Sequence, residues 1–302
     1  MDKYWKLEEG SKEDKMHQNL MKQVVKVFKH CNQLSKDSRY DYIARVSHFA
    51  KFEASVYHKQ SLNNIKNDHI AAYVEQCQEA QLSSSYTGSI LSAIRFFVDQ
   101  NGKDSSYILS NKELGYEPRT QAERIGDNKA WSSEQVKYMQ ELAVQKGNPQ
   151  IADMIRLARG FGLRIHEVTR LERIDLQRAI KNEFLHVKGK GGLERDVPLQ
   201  NDENRMFIQK LINQTPRENW KVFVPDRSQR TDLVIKQVQN FIANNKQAGD
   251  TITAHGLRHT WAQERYKELQ YSGMKSIDAK LQVSLELGHF RQDITNVYLQ
   301  ER

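Results

Sequence analysis

L-G-H-F-R-Q-D-I-T-N-V-Y, Leu287 to Tyr298, sets a tyrosine nine positions after a histidine on what reads as a short terminal helix. Working outward from it, three more segments share its character. They are A-H-G-L-R-H (Ala254 to His259), V-K-G-K-G-G-L-E-R-D-V-P-L (Val187 to Leu199) and F-G-L-R-I-H-E (Phe161 to Glu167). Together they supply one candidate nucleophile, Tyr298, two arginines, Arg164 and Arg258, two histidines, His255 and His289, and a hairpin lysine, Lys190. That set suits chemistry on a phosphodiester. Each motif alone is weak evidence, and it is the four in this order that carry weight.

The bulk composition agrees. The chain has 302 residues, enough for two domains of ordinary size, with 38% hydrophobic and 28% charged residues. The formal net charge is +8 and the pI about 9.2. A surplus of that size points to a polyanionic partner, nucleic acid ahead of membrane, although a basic surface can also be inert. The two cysteines, Cys31 and Cys77, form neither a disulfide framework nor a C-x-x-C metal spacing. The charged N-terminus is not a signal peptide, and no run approaches the roughly 18 apolar residues of a membrane span. The expected location is the cytoplasm, associated with the nucleoid.

Residues up to about 120 read as four short amphipathic helices. Leu20, Val24 and Phe28 fall at helical spacing. Ser38 is the expected cap of a second helix carrying Ile43, Val46 and Phe49. Asn67 or Asp68 opens a third, and Ser83 to Ser85 precede a fourth. Residues 117–130 are polar and read as an interdomain linker. Trp131-Ser132-Ser133-Glu134 then signals a new helix N-terminus. Phe184 to Val187 and Arg195 to Leu199 read as two strands around a glycine-rich turn. The expected fold is mainly α with a small β-hairpin, divided into 1–120, the 117–130 linker and 131–302.

The chemistry follows from residue type. A planar guanidinium donates two parallel hydrogen bonds to phosphate oxygens and stays charged at any working pH. Two of them, Arg164 and Arg258, would stabilise the added charge of a pentavalent transition state. Glu167, three residues after Arg164, can orient it. In H-x-x-R-H, His255 and Arg258 share a helix face, whereas His259 is rotated about 100° and is expected to pack elsewhere. His259 and His166 are read as structural or surface residues. A zinc reading fails for want of an H-E-x-x-H glutamate and a third ligand, so no metal is expected. K-G-K-G-G lacks the Walker spacing, so no nucleotide cofactor is expected either. Glycines around Lys190 let a hairpin tip approach another backbone, and the lysine can protonate a leaving oxygen, but such a segment can equally be a flexible basic turn. An ordinary phenol, with a pKa of about 10, needs neighbouring positive charge or a base before it attacks at neutral pH.

These motifs resemble the tyrosine recombinases, the phage-type integrases and Xer-like enzymes, from about Trp131 to Tyr298. The N-terminal helices look like that family's SAM-like core-binding domain. Arg164 stands in G-L-R-x-x-E, Lys190 in G-K-G, His255 and Arg258 in H-x-L-R-H, His289 in L-G-H, and Tyr298 after T-x-x. The resemblance implies attack by Tyr298 on the scissile phosphate, a 3′-phosphotyrosyl link and a leaving 5′-hydroxyl protonated by Lys190. It implies no ATP and no metal. It also implies double-stranded DNA with inverted-repeat core sites as substrate, and a tetramer on two sites. Only Leu299 to Arg302 follow the tyrosine, where many relatives carry a longer helix, so protomer coupling is expected to differ. Arg265 to Lys280 is longer than in compact Xer-like members. Two rivals remain at this point: a type IB topoisomerase-like relaxing enzyme, and a DNA-binding regulator that has lost catalysis.

Overall fold

The computed structural model describes residues 6–29, 31–189, 192–224, 230–289 and 292–300. The chain divides into two compact units, Met1–Thr120 and Gln121–Arg302.

The first unit contains α1 (Lys12–Lys29), α2 (Lys36–Val56), α3 (Asn67–Glu79) and α4 (Ser84–Gln100). α1 buries Met16, Leu20, Val24 and Phe28, a strict four-residue stripe that packs on α2 and α4. Behind it the rings of Phe49 and Phe52 each lie 5.2 Å from that of Tyr73. Full burial of such side chains contributes about 1.5–3 kcal/mol each. The second helix begins earlier than expected. Ser35, not Ser38, is its N-cap, with Ser35 Oγ accepting from the Ser38 N–H at 3.2 Å. The cap must be extended, and Ser35 is (φ −60°, ψ 160°), whereas Ser38 already lies in the first turn.

The second unit opens with α5 (Gln121–Ile125), a short helix inside the polar stretch 117–130. α6 (Ser133–Gln145) starts on a capping box. Ser132 Oγ accepts from the Gln135 N–H at 3.2 Å, and Gln135 Oε1 accepts from the Ser132 N–H at 2.8 Å. α7 (Pro149–Phe161) has proline in its first turn and ends at Gly162 (φ +58°). There follow α8 (Ile165–Val168), α9 (Arg173–Asn182) and an antiparallel hairpin of β1 (Phe184–Lys188) and β2 (Glu194–Pro198). Its register pairs Val187 with Arg195 and Lys188 with Glu194. α10 (Asp202–Gln214), α11 (Thr231–Asn245), α12 (Gly256–Tyr271), α13 (Ser276–Leu287) and α14 (Gln292–Leu299) complete the unit. The long stretch Arg265 to Lys280 forms the end of α12, a turn at Gly273 (φ +92°) and the start of α13. One apolar core, including Ile155, Phe161, Leu163, Leu257, Trp261 and Leu287, holds α7, α12 and α13 together. The molecule is thus mostly helical with one two-stranded sheet among the described residues.

Candidate active site

Three turns bring the motifs together, and a glycine shapes each. Gly162 ends α7 in the left-handed region, and a Cβ there would meet Trp261 Cε3 at 2.6 Å. Gly256 starts α12 so close to Lys129 that a Cβ would stand 2.3 Å from its carbonyl oxygen. Gly288 (φ +68°) ends α13 against the Arg195 side chain, where a Cβ would stand 3.1 Å from its Cδ. Arg164, Arg258 and His289 follow these glycines by two, two and one residues, so close packing of the backbone aims all three side chains inward.

Glu167 sits at the centre with a fully buried side chain. Its carboxylate accepts from Arg195 Nη1 at 3.0 Å and Nη2 at 2.8 Å, a bidentate pair, and from Arg164 Nη1 at 3.0 Å. It also caps α8 by accepting from the Arg164 N–H at 2.8 Å. Arg258 Nη1 lies 3.9 Å away. Burial alone would raise this carboxyl, but the hydrogen bonds and charge of Arg195, then Arg164 and Arg258, bring it down to about 2. Glu167 therefore accepts hydrogen bonds from both Arg164 and Arg195.

Arg258 is completely buried. Nη1 donates to the Gly162 carbonyl at 2.6 Å and Nη2 to the Leu287 carbonyl, while Nε has no partner among the described residues. Burial, then the charge of Arg164, lowers it to about 10, still protonated at neutral pH. His289 lies between the two arginines, its Nε2 2.9 Å from Arg164 Nη2 and 3.3 Å from Arg258 Nη2. A guanidinium only donates, so Nε2 accepts and the ring is neutral. Burial, then Arg258 and Arg164, pushes His289 down to about 3, in accord with that assignment. Ser284 Oγ donates to the His289 carbonyl and fixes its backbone.

Tyr298 is 6% exposed. Its hydroxyl stands 3.2 Å from His255 Nε2, and the Arg258 guanidinium lies over its ring, 5.8 Å from the centroid. His255 is lowered by the packing around its ring and by Arg258 and Arg164, and it remains open to solvent on one side. The centre thus holds three guanidiniums against one carboxylate, with its histidines neutral. Surplus positive charge around a tyrosine hydroxyl is a built site for an anionic oxygen compound.

The structure brings together Arg164, Glu167, His255, Arg258, His289 and Tyr298. Lys190 lies outside the described residues. His259 was expected to pack elsewhere, and that is corrected: its ring stacks on Tyr298 with centroids 4.3 Å apart. The rotation argument placed it relative to Arg258, but α14 crosses α12 and meets positions 255 and 259 alike. Sequence reading also passed over Arg195, although strand alternation puts it on the inward face with Val197. An arginine at an inward strand position signals a buried acidic partner.

A sequence model of the phage integrase family matches residues 132–302, more than half of the chain. This chain belongs to the phage integrase family. Residues 27–100 match the phage integrase N-terminal SAM-like domain. The curated relatives include the tyrosine recombinase XerC of Chlamydia trachomatis serovar L2 and that of serovar D, each 28% identical over 152 residues. The alignment takes in 48% of this chain and 44% of each XerC, so it spans less than half the length of those relatives. Among solved structures, a lambda integrase dimer bound to a COC′ core site is similar with TM-score 0.64 and 14% identity, over 94% of this chain and 96% of that one. The Tn1549 transposon integrase in complex with transposon right end DNA gives 0.60 and 15%, over 92% and 93%. The XerH site-specific recombinase in a post-cleavage complex with palindromic difH substrate gives 0.61 and 18%, over 92% and 80%. At these identities the likeness is one of fold. No helix among the described residues is long and apolar enough to cross a membrane.

Proposed function

We propose that the chain is a site-specific DNA recombinase, an integrase of a mobile element, that cleaves and rejoins strands through a 3′-phosphotyrosyl intermediate at Tyr298. The observation that carries this reading is the placement of the Tyr298 hydroxyl, 3.2 Å from a neutral His255, with the buried Arg258 guanidinium over its ring and the partly exposed Arg164 adding surplus charge. Family membership and the fold shared with DNA-bound integrases support it.

In the proposed reaction a scissile phosphate takes up the unpaired donor capacity of Arg258 and Arg164, with His289 as a third hydrogen-bonding group. The Tyr298 oxygen attacks phosphorus as His255 accepts its proton, and the P–O5′ bond breaks. The leaving 5′-hydroxyl receives its proton from Lys190. A 5′-hydroxyl of the partner strand then attacks the phosphotyrosyl link, restoring a phosphodiester and freeing Tyr298. Bond energy is conserved in the covalent intermediate, so the cycle consumes no nucleotide. The helical unit Met1–Thr120 serves as the core-site-binding domain and 131–302 as the catalytic domain, with 117–130 as the linker. Four protomers act on two inverted-repeat sites of double-stranded DNA in the cytoplasm, at the nucleoid.

The test is to express the wild type and Tyr298→Phe in cells, denature, isolate covalent protein–DNA adducts and sequence the attached DNA. Adducts at one inverted-repeat site, absent from the variant, are the expected result. Adducts that persist with Tyr298→Phe would overturn the nucleophile assignment. Dispersed adducts would make the chain a relaxing enzyme instead.

A further inference from the structure

His255, His259 and Gln263 stand four residues apart along α12, so they share one face of that helix. All three meet Tyr298. His255 Nε2 faces the hydroxyl at 3.2 Å. The His259 ring stacks on the phenol ring, centroids 4.3 Å apart and planes at 30°. Gln263 Nε2 donates to the Tyr298 carbonyl at 2.9 Å and to Asn128 Oδ1 at 3.0 Å. The helix that carries Tyr298, α14, has eight residues. A helix of that length is marginal alone, so its position depends on what it docks against.

His259 is 3% exposed, and its Nδ1 has no hydrogen-bond partner among the described residues. A buried ring nitrogen without a partner contributes nothing there and costs desolvation. What this imidazole offers is chiefly a flat face in contact with the phenol, beside an interaction with the Tyr298 backbone. Burial and the neighbouring His255 keep it uncharged at neutral pH, so it brings no charge to a developing phosphate.

We propose that His259 and Gln263 are positioning residues that hold Tyr298 docked on α12, His259 by ring stacking and Gln263 through the backbone carbonyl, and so set the hydroxyl against His255. The docking stands on geometry alone, whereas its catalytic consequence rests on the reading of Tyr298 as nucleophile. A misplaced reacting atom costs as much as a missing group, because about 1 Å of error can cost roughly 10²-fold in rate.

Two readouts test this on the full chain. The first is hydrogen exchange of the α14 amides without DNA. His259→Leu is expected to speed exchange in α14 at least about tenfold while the amides of α12 and α13 keep their protection, and His259→Phe, which keeps the stack, to restore it. In a Tyr298→Ala background His259→Leu should add less than about twofold, because the two changes remove one contact. Equal loosening of α12 and α13, an unmoved α14, or failure of the phenylalanine to rescue would each overturn the proposal. The second readout is covalent adduct on host DNA in cells, alongside retention on a random-sequence duplex. His259→Leu should lower adduct at least about tenfold with unchanged retention, and His259→Phe should recover most of it. Wild-type adduct yield with His259→Leu would remove the catalytic role. Adduct that survives Tyr298→Phe would instead strike the nucleophile reading, leaving the docking to be decided by exchange.

Discussion

Glu53 in the first unit and Glu167 in the second are both 2% exposed, and their two centres are built to opposite ends. In the N-terminal unit, Glu53 meets His69, whose Nδ1 lies 3.1 Å from both carboxylate oxygens, under the Tyr57 ring stacked at 3.8 Å. In the C-terminal unit, Glu167 meets Arg164 and Arg195 directly, with Arg258 at 3.9 Å. Burial raises Glu53 to about 7 because an imidazole that burial itself holds low supplies little charge. The same burial is overcome at Glu167, which falls to about 2. One centre is a closed polar pair inside a core. The other leaves net positive charge unspent, and only an incoming anion completes it.

The largest effect expected from breaking this contrast is at the surplus charge. Arg258→Ala should lower the rate of adduct formation by about 10²–10³, as for the loss of one transition-state donor. Arg164→Ala should fall in the same range. A quench assay on the DNA recovered from wild-type adducts measures both, and a change below about threefold would remove the phosphate-clamp role.

Next is the pH dependence of the two carboxylates, whose signs differ. Glu167 is depressed, so its contribution is present above the unfolded value of 4.5 and is lost as pH falls towards about 2. Glu167→Gln should therefore cost about 3 kcal/mol at neutral pH, and the cost should shrink through that window. Glu53 is raised, so the native state holds a proton that the unfolded chain releases between 4.5 and about 7. Its contribution therefore falls as pH rises through that window, and Glu53→Gln should gain on the wild type by up to about 3 kcal/mol by pH 7. Denaturant unfolding from pH 3 to 8, with core-amide exchange assigning the loss to one unit, reads both slopes. Parallel slopes would mean that the two centres do not differ in charge as described.

The same contrast explains what was legible. Arg164, His255, Arg258, His289 and Tyr298 stand beside glycines or at fixed spacings, so their order along the chain marked them. The helices of the first unit were readable because Leu20, Val24 and Phe28 repeat every four residues on one apolar face. Arg195 and His259 were harder, because their roles depend on tertiary crossings. Arg195 matters because β2 runs beneath the end of α13, where its Nε reaches the Glu286 carbonyl at 2.8 Å. His259 matters because α14 lies across α12. Neither crossing has a local period in the sequence. The Glu53–His69 pair is another such case, sixteen residues apart on different helices.

The glycines give the finest test of the difference between the units. Gly162 combines a positive φ with a Cβ clash of 2.6 Å on Trp261, whereas Gly102, just after α4, has φ +79° and nothing within 4 Å of a Cβ. Gly162→Ala should add overpacking of about 1–3 kcal/mol to the left-handed strain of about 1–2 kcal/mol, and should reduce adduct formation because Gly162 also supplies the carbonyl that Arg258 holds. Gly102→Ala should show the strain alone, with adduct formation unchanged. Equal destabilisation by the two substitutions would show that Trp261 yields to the added methyl, and that the turn before Arg164 is shaped by backbone conformation rather than by packing.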